Sequence, residues 1–114
     1  MANFVSDPCR ILAAHLTTTS VTSIYTAEGY AQAVGLRAAN VTSSPVTLTI
    51  NYYNSRLNDT FRLLYQGQVP GNGAVFFPLQ AMALDPNDEI RVQAGSSNTL
   101  DIILTVAEIP GRSG

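Results

Sequence analysis

Few residues in this chain are of a type that does chemistry. His15 is its only histidine and Cys9 its only cysteine. A nucleophilic dyad or triad needs a base poised on a Ser or Cys, and no G-x-S-x-G elbow marks one. Cys9 precedes His15 by six residues, but nearness along a strand does not create hydrogen-bond geometry, and thiol proteases separate the two widely. A hydrogen-bonded or exposed His15 is the plainer reading. One His and one Cys also fall short of the paired ligands of a structural zinc site. Asp85, Asn87, Asp88 and Glu89 bring oxygens together, yet the segment lacks the glycine and distal glutamate of an EF-hand loop. It reads as a turn leading into a strand. No spacing singles out a glycosidase pair from the eight acids. Tyr52 and Tyr53 are candidate sugar platforms, in a chain without tryptophan. Successive strand residues face opposite sides, so Tyr52 belongs to the core and Tyr53 to the outside, where it is a candidate partner contact. The sequence predicts no catalytic residue, no cofactor and no metal.

The elements that would position these residues are short and β-like. Alternating apolar and polar runs, separated by Gly, Pro, Asn and Asp, recur at roughly ten-residue spacing, and no window shows helical periodicity. About eight runs result, near Arg10 to Thr17, Val21 to Ala27, Ala31 to Asn40, Val46 to Asn54, Phe61 to Gln68, Ala74 to Leu79, Glu89 to Ala94 and Leu100 to Ile109. The third carries Ala31, Ala33, Gly35, Ala38 and Ala39, small residues that admit a close backbone approach. It is assigned as a strand because its flanks are turn material. Pro70-Gly71 suits a type II turn with glycine at positive φ. Pro78 has no donor for a ladder, so its strand is expected at an edge or ending there. Glu89 to Ala94 and Leu100 to Ile109 are the clearest hairpin candidate, with Ile90 and Val92 opposing Leu100, Ile102, Leu104 and Val106. The expected fold is all-β, a single antiparallel sandwich over 10–109, jelly-roll-like or immunoglobulin-like, with an N-terminal arm at 1–9 and a flexible tail at 110–114.

Composition narrows the function classes. Charged residues make up only 12% of the chain, and its six basic residues are all arginine. Interface cores lose Lys, Glu and Asp while keeping Arg, so much of this surface is either covered by neighbours or reflects drift in a Thr-rich β-protein. Ile103 and Leu64 fall on nominally outward faces, and Phe4 and Val5 lie on the first arm. With Tyr53, these are the candidate assembly contacts. A net charge of -2 with scattered arginines gives no basic stripe for nucleic acid. No stretch approaches the ~20 apolar residues of a membrane-spanning helix, and the first ten residues carry no secretion signal. A single cysteine makes no internal disulfide and asks for no oxidising compartment. Asn40-Val41-Thr42 and Asn58-Asp59-Thr60 match the glycosylation sequon but are read as turn residues.

The order Ile24-Tyr25-Thr26-Ala27, Leu36-Arg37-Ala38-Ala39-Asn40, Thr47-Leu48-Thr49-Ile50, Val69-Pro70-Gly71, Leu84-Asp85-Pro86-Asn87-Asp88 and Leu100-Asp101-Ile102-Ile103 resembles the small accessory structural proteins of tailed-bacteriophage virions. These are head-decoration or cement proteins and related neck and tail components. The resemblance covers roughly Arg10 to Ile109 and transfers no site residues. It implies assembly as a homo-oligomer, a trimer first, on major capsid or other virion proteins, in a virion put together in the host cytoplasm. A neck, tail or fibre component, or a carbohydrate- or receptor-binding module, is the alternative.

Overall fold

The computed structural model describes residues 9–108, and among them there is no helix. Eight strands follow in order: β1 (Cys9–Leu16), β2 (Thr22–Thr26), β3 (Ala31–Asn40), β4 (Val46–Asn54), β5 (Asp59–Val69), β6 (Ala74–Leu84), β7 (Glu89–Ala94) and β8 (Leu100–Glu108). The third and fourth begin and end where the sequence pattern places them. The strands form two four-stranded sheets, ordered β1-β8-β3-β6 and β2-β7-β4-β5, and all pairings are antiparallel. Every link except β4 to β5 carries the chain from one sheet to the other. The pairs β1–β8, β2–β7, β3–β6 and β4–β5 are therefore nested, as if one long hairpin had been rolled up. That is the eight-stranded jelly roll, one of the two sandwich types expected.

The roll follows from the alternation. β7 buries every second residue, Ile90, Val92 and Ala94, and β8 buries Leu100, Ile102, Leu104 and Val106. These faces meet Leu36 of β3 and Leu48 and Ile50 of β4 in one continuous core. β7 and β8 do not form the hairpin that their short connection suggests. β7 lies between β2 and β4, and β8 between β1 and β3, so their apolar faces oppose each other across the core rather than within a ladder. Alternation specifies which face is buried, and a short glycine-containing link serves a sheet crossing as well as a hairpin.

Three further expectations are corrected by irregular backbone. β6 is an edge strand, as Pro78 requires, but it continues past Pro78 to Leu84. It does so through a bulge with Gln80 at φ 59° and Ala81 at φ 56°, where the β3 register shifts between Ala33 and Gly35. At the β5–β6 turn the positive φ belongs to Asn72, at 56°, and the Gly73 N–H donates to the Pro70 carbonyl over 3.2 Å. Gly71 is needed for another reason, because a Cβ there would run into the Ser43 carbonyl. In β5, register shifts around Ile50 and the left-handed Gln66, φ 51°, rotate Leu64 away from the expected outward face. It is half-buried and packs on the core.

Leu104 is fully buried on a central strand. Leu104→Ala should lower unfolding free energy by about 3 kcal/mol, through lost transfer energy plus a residual cavity. Urea denaturation with an unchanged m-value checks this.

Candidate assembly interface

The chemistry-bearing residues do not converge. Cys9 and His15 sit near opposite ends of β1, about 20 Å apart at strand rise. His15 Nδ1 lies 2.6 Å from Asp101 Oδ1 on the neighbouring strand, and both side chains are exposed. The hydrogen bond to Asp101, then its charge, raises the His15 pKa above 6.5. Among the described residues no three His, Cys, Asp or Glu side chains gather as a metal site would require.

The turn from Asp85 to Asp88 holds a structural device instead. The Asp88 N–H donates to the Asp85 carbonyl over 3.0 Å, with Asn87 at φ 73° after Pro86, a type II arrangement. The Asp88 side chain is turned inward and is 1% exposed. Its Oδ2 accepts from the Tyr52 hydroxyl at 2.7 Å and the Asp85 N–H at 3.0 Å. Its Oδ1 accepts from the Ser55 N–H at 2.9 Å, with Ser55 Oγ at 3.0 Å sharing its proton between Asp88 and the Pro86 carbonyl. Burial pushes the Asp88 carboxyl up, but the bonds from Ser55, Tyr52 and Asp85 outweigh it and hold it below its ordinary value. Both carboxylate oxygens accept hydrogen bonds from the protein itself, so this turn is a clamp joining the β6–β7 turn to the β4–β5 hairpin rather than a set of cation ligands.

Asn40 is the counterpart clamp. It is buried, and its Nδ2 donates to the carbonyls of Ser44 at 2.8 Å and Val69 at 3.1 Å. Its Oδ1 accepts from Thr42 N–H and Oγ1 at 2.9 and 2.7 Å. With every amide group engaged, this sequon residue is part of the turn, as the sequence reading has it. Asn58, in the second sequon, is a left-handed turn residue at φ 53° whose Oδ1 accepts from the Tyr53 hydroxyl over 2.6 Å.

The assembly candidates divide between two unlike faces. Phe4 and Val5 lie outside the described residues. Tyr53 stands on the outer face of β2-β7-β4-β5, under the Arg91 guanidinium at 4.3 Å. That face is polar. Arg62 stacks on Tyr65 at 4.5 Å, beside a shallow groove of about 410 Å³ reaching Thr49, Gln66 and Gln93. Ile103 stands on the opposite side of the molecule, on the outer face of β1-β8-β3-β6. Cross-strand register puts Ala13, Ile103, Arg37 and Phe76 in one row and Ile11, Thr105, Gly35 and Pro78 in the next. Ile11, Phe76, Ile103 and the bulged Val34 are 71%, 60%, 41% and 41% exposed. The Phe76 ring lies over Gly35, in the space a Cβ would fill. An apolar band thus crosses all four strands, with Arg37 as the charged side chain inside it. The outward face expected for Ile103 is where the side chain stands, and Ile11, Val34 and Phe76, which the sequence pattern does not single out, are exposed beside it. The signal for Phe76 was present in Phe76-Phe77, since a strand turns only one of two neighbours inward.

No family model matches the chain, and no curated protein matches it in sequence. Solved structures do. The chain is similar to a chain of the capsid of Ralstonia phage GP4, with a TM-score of 0.55 at 12% identity over 93% of this chain and 86% of that one. It is similar to a chain of the infectious bursal disease virus Gx strain, with a TM-score of 0.51 at 9% identity over 94% of this chain. It spans only 35% of that viral chain. A Bacillus endospore appendage, described as a disulfide-linked pilus, gives a TM-score of 0.50 at 14% identity, with 90% and 85% covered. What is shared is the fold. The jelly roll is set by the strand order of this chain, and the likenesses show that fold shared with a chain of a phage capsid and with a pilus subunit.

Asp88→Asn should lower stability at neutral pH by about 2 to 3 kcal/mol, because an amide leaves buried donors without an acceptor. A depressed carboxyl contributes stability above its unfolded value near 3.8 and loses it as pH falls through the lower folded value. The gap between wild type and variant should therefore narrow in acid. Urea titrations across that range check both statements.

Proposed function

We propose that this chain is a bacteriophage virion structural protein, a capsid decoration or cement protein that stabilises the head by bridging major capsid subunits. One observation carries the reading: the apolar band Ile11–Ile103–Phe76 on a rigid jelly roll, left uncovered by the chain's described residues. Apolar patches of this kind mark protein contact sites. The low share of charged residues suits surfaces that are covered in use. The fold likeness to a phage capsid chain, over most of that chain's length, supports the same reading, as does the resemblance in the sequence.

The mechanism is linkage. A protein that binds the assembled shell and not its free subunits stabilises the shell by mass action, by about 2.7 kcal/mol per site at a hundredfold excess over Kd, repeated at every symmetry-related site. The first arm, with Phe4 and Val5, reaches a neighbouring subunit while the sandwich stays rigid. The chain needs no cofactor for this, acts on no substrate, and joins the particle in the host cytoplasm. The likeness to the endospore appendage favours a second reading, a subunit that polymerises alone, as a tail or fibre part would.

Ile103→Lys should leave the fold intact, since the side chain is partly exposed, and weaken binding to heads lacking the protein by roughly tenfold to a hundredfold, the equivalent of one buried aliphatic side chain. Co-sedimentation with such heads reads it. Filaments grown from purified protein without heads would support the second reading, as would only roughly six or twelve copies per particle.

A further inference from the structure

The jelly roll leaves four strands at sheet edges, and they are not alike. β2 is five residues long and its register with β7 shifts between Ser23 and Tyr25. β5 carries register shifts and the left-handed Gln66. β6 carries Pro78 and the left-handed pair Gln80 and Ala81. Short length, bulges and proline are the devices by which sheets prevent their edges from pairing with other chains. β1 has none of them. All eight of its residues pair with β8 in one unbroken register, Cys9 with Ala107 through Leu16 with Leu100, and no described strand pairs with its other side.

β1 also lacks the charge that would keep it from its own kind. Its basic residues are neutralised by β8: Arg10 Nη1 lies 3.0 Å from Glu108 Oε2, and His15 pairs with Asp101 as described. Its outward residues between these pairs are Ile11 and Ala13, the end of the apolar band.

We infer that the open edge of β1 pairs with β1 of a second copy, antiparallel about a two-fold axis, fusing two four-stranded sheets into one of eight. Identical antiparallel strands are self-complementary, which is the isologous case. A head-to-tail ring, including the three-fold arrangement implied by the resemblance, would need a second regular edge, and the other three are blunted. Pairing also sets the two apolar bands side by side across about 38 Å of continuous sheet, a footing wide enough to span a boundary between shell subunits. The inference rests on the assembly reading above for its purpose, not for its geometry.

The test uses the full-length protein alone and then with heads. Sedimentation should show a species of twice the monomer mass, which Ile11→Lys, a substitution at a largely exposed site, converts to monomer with unchanged circular dichroism and with a Tm that no longer depends on protein concentration. Hydrogen exchange should show β1 amides slowed by roughly tenfold or more in wild type at high concentration relative to the variant, a readout that face-to-face stacking would not give. A wild-type monomer, or a dimer that survives Ile11→Lys with β1 exchange unaltered, overturns the pairing. If such a protein still binds heads, the assembly reading stands without it. A β1-paired dimer that fails to bind heads retains the pairing and removes the assembly reading. Slowed β1 exchange seen only with heads would assign the edge to a capsid strand and overturn the second-copy occupant.

Discussion

Everything in this molecule depends on the burial of two apolar sheet faces against each other. Neither four-stranded sheet is stable alone, because each presents a row of Val, Ile and Leu that water would have to cover. Placing Leu36, Ile102 and Leu104 against Leu48, Ile50 and Ile90 removes both rows at once. Because the chain changes sheets at nearly every turn, neither sheet can form fully without the other. Such non-local pairing makes folding slow relative to helical domains, and it ties the shape of each outer face to the integrity of the whole sandwich.

The crossings need anchoring, and buried polar side chains supply it. Asp88 fastens one end of the roll to the β4–β5 hairpin, and Asn40 fastens the β3–β4 link to the end of β5. Buried polar groups are costly unless satisfied and rigidifying when they are. With the ends held, the two outer faces are free to diverge in chemistry. One became polar, with arginines stacked on tyrosines. The other stayed apolar, which a monomer would ordinarily avoid and a protein that docks can use.

Much of the fold was legible in the residues. Val46 to Asn54 shows its strand through strict alternation, and Ala31 to Asn40 was recovered because turn residues bound it on both sides. The pairing was not legible. Glu89 to Ala94 and Leu100 to Ile109 read as a hairpin because alternation reports which side is buried and not which strand lies alongside. Leu64 departs from the outward face that alternation gives it because the register with β4 shifts between Arg62 and Leu64, setting Leu64 opposite the buried Ile50. Asp88 was hidden because its donor Ser55 lies 33 positions away. Of the contact candidates, Ile103 stands where the pattern placed it, while its neighbours Ile11 and Phe76 become a surface only through cross-strand register.

In the assembly role proposed above, the face β1-β8-β3-β6, and not its polar opposite, meets the shell. A photo-crosslinking residue placed at Phe76 in one variant and at Tyr65 in another, followed by mapping of covalent products from whole particles, tests it most directly. Products to capsid subunits are expected from Phe76 and none from Tyr65. Products from Tyr65 alone, or from neither position, would contradict it.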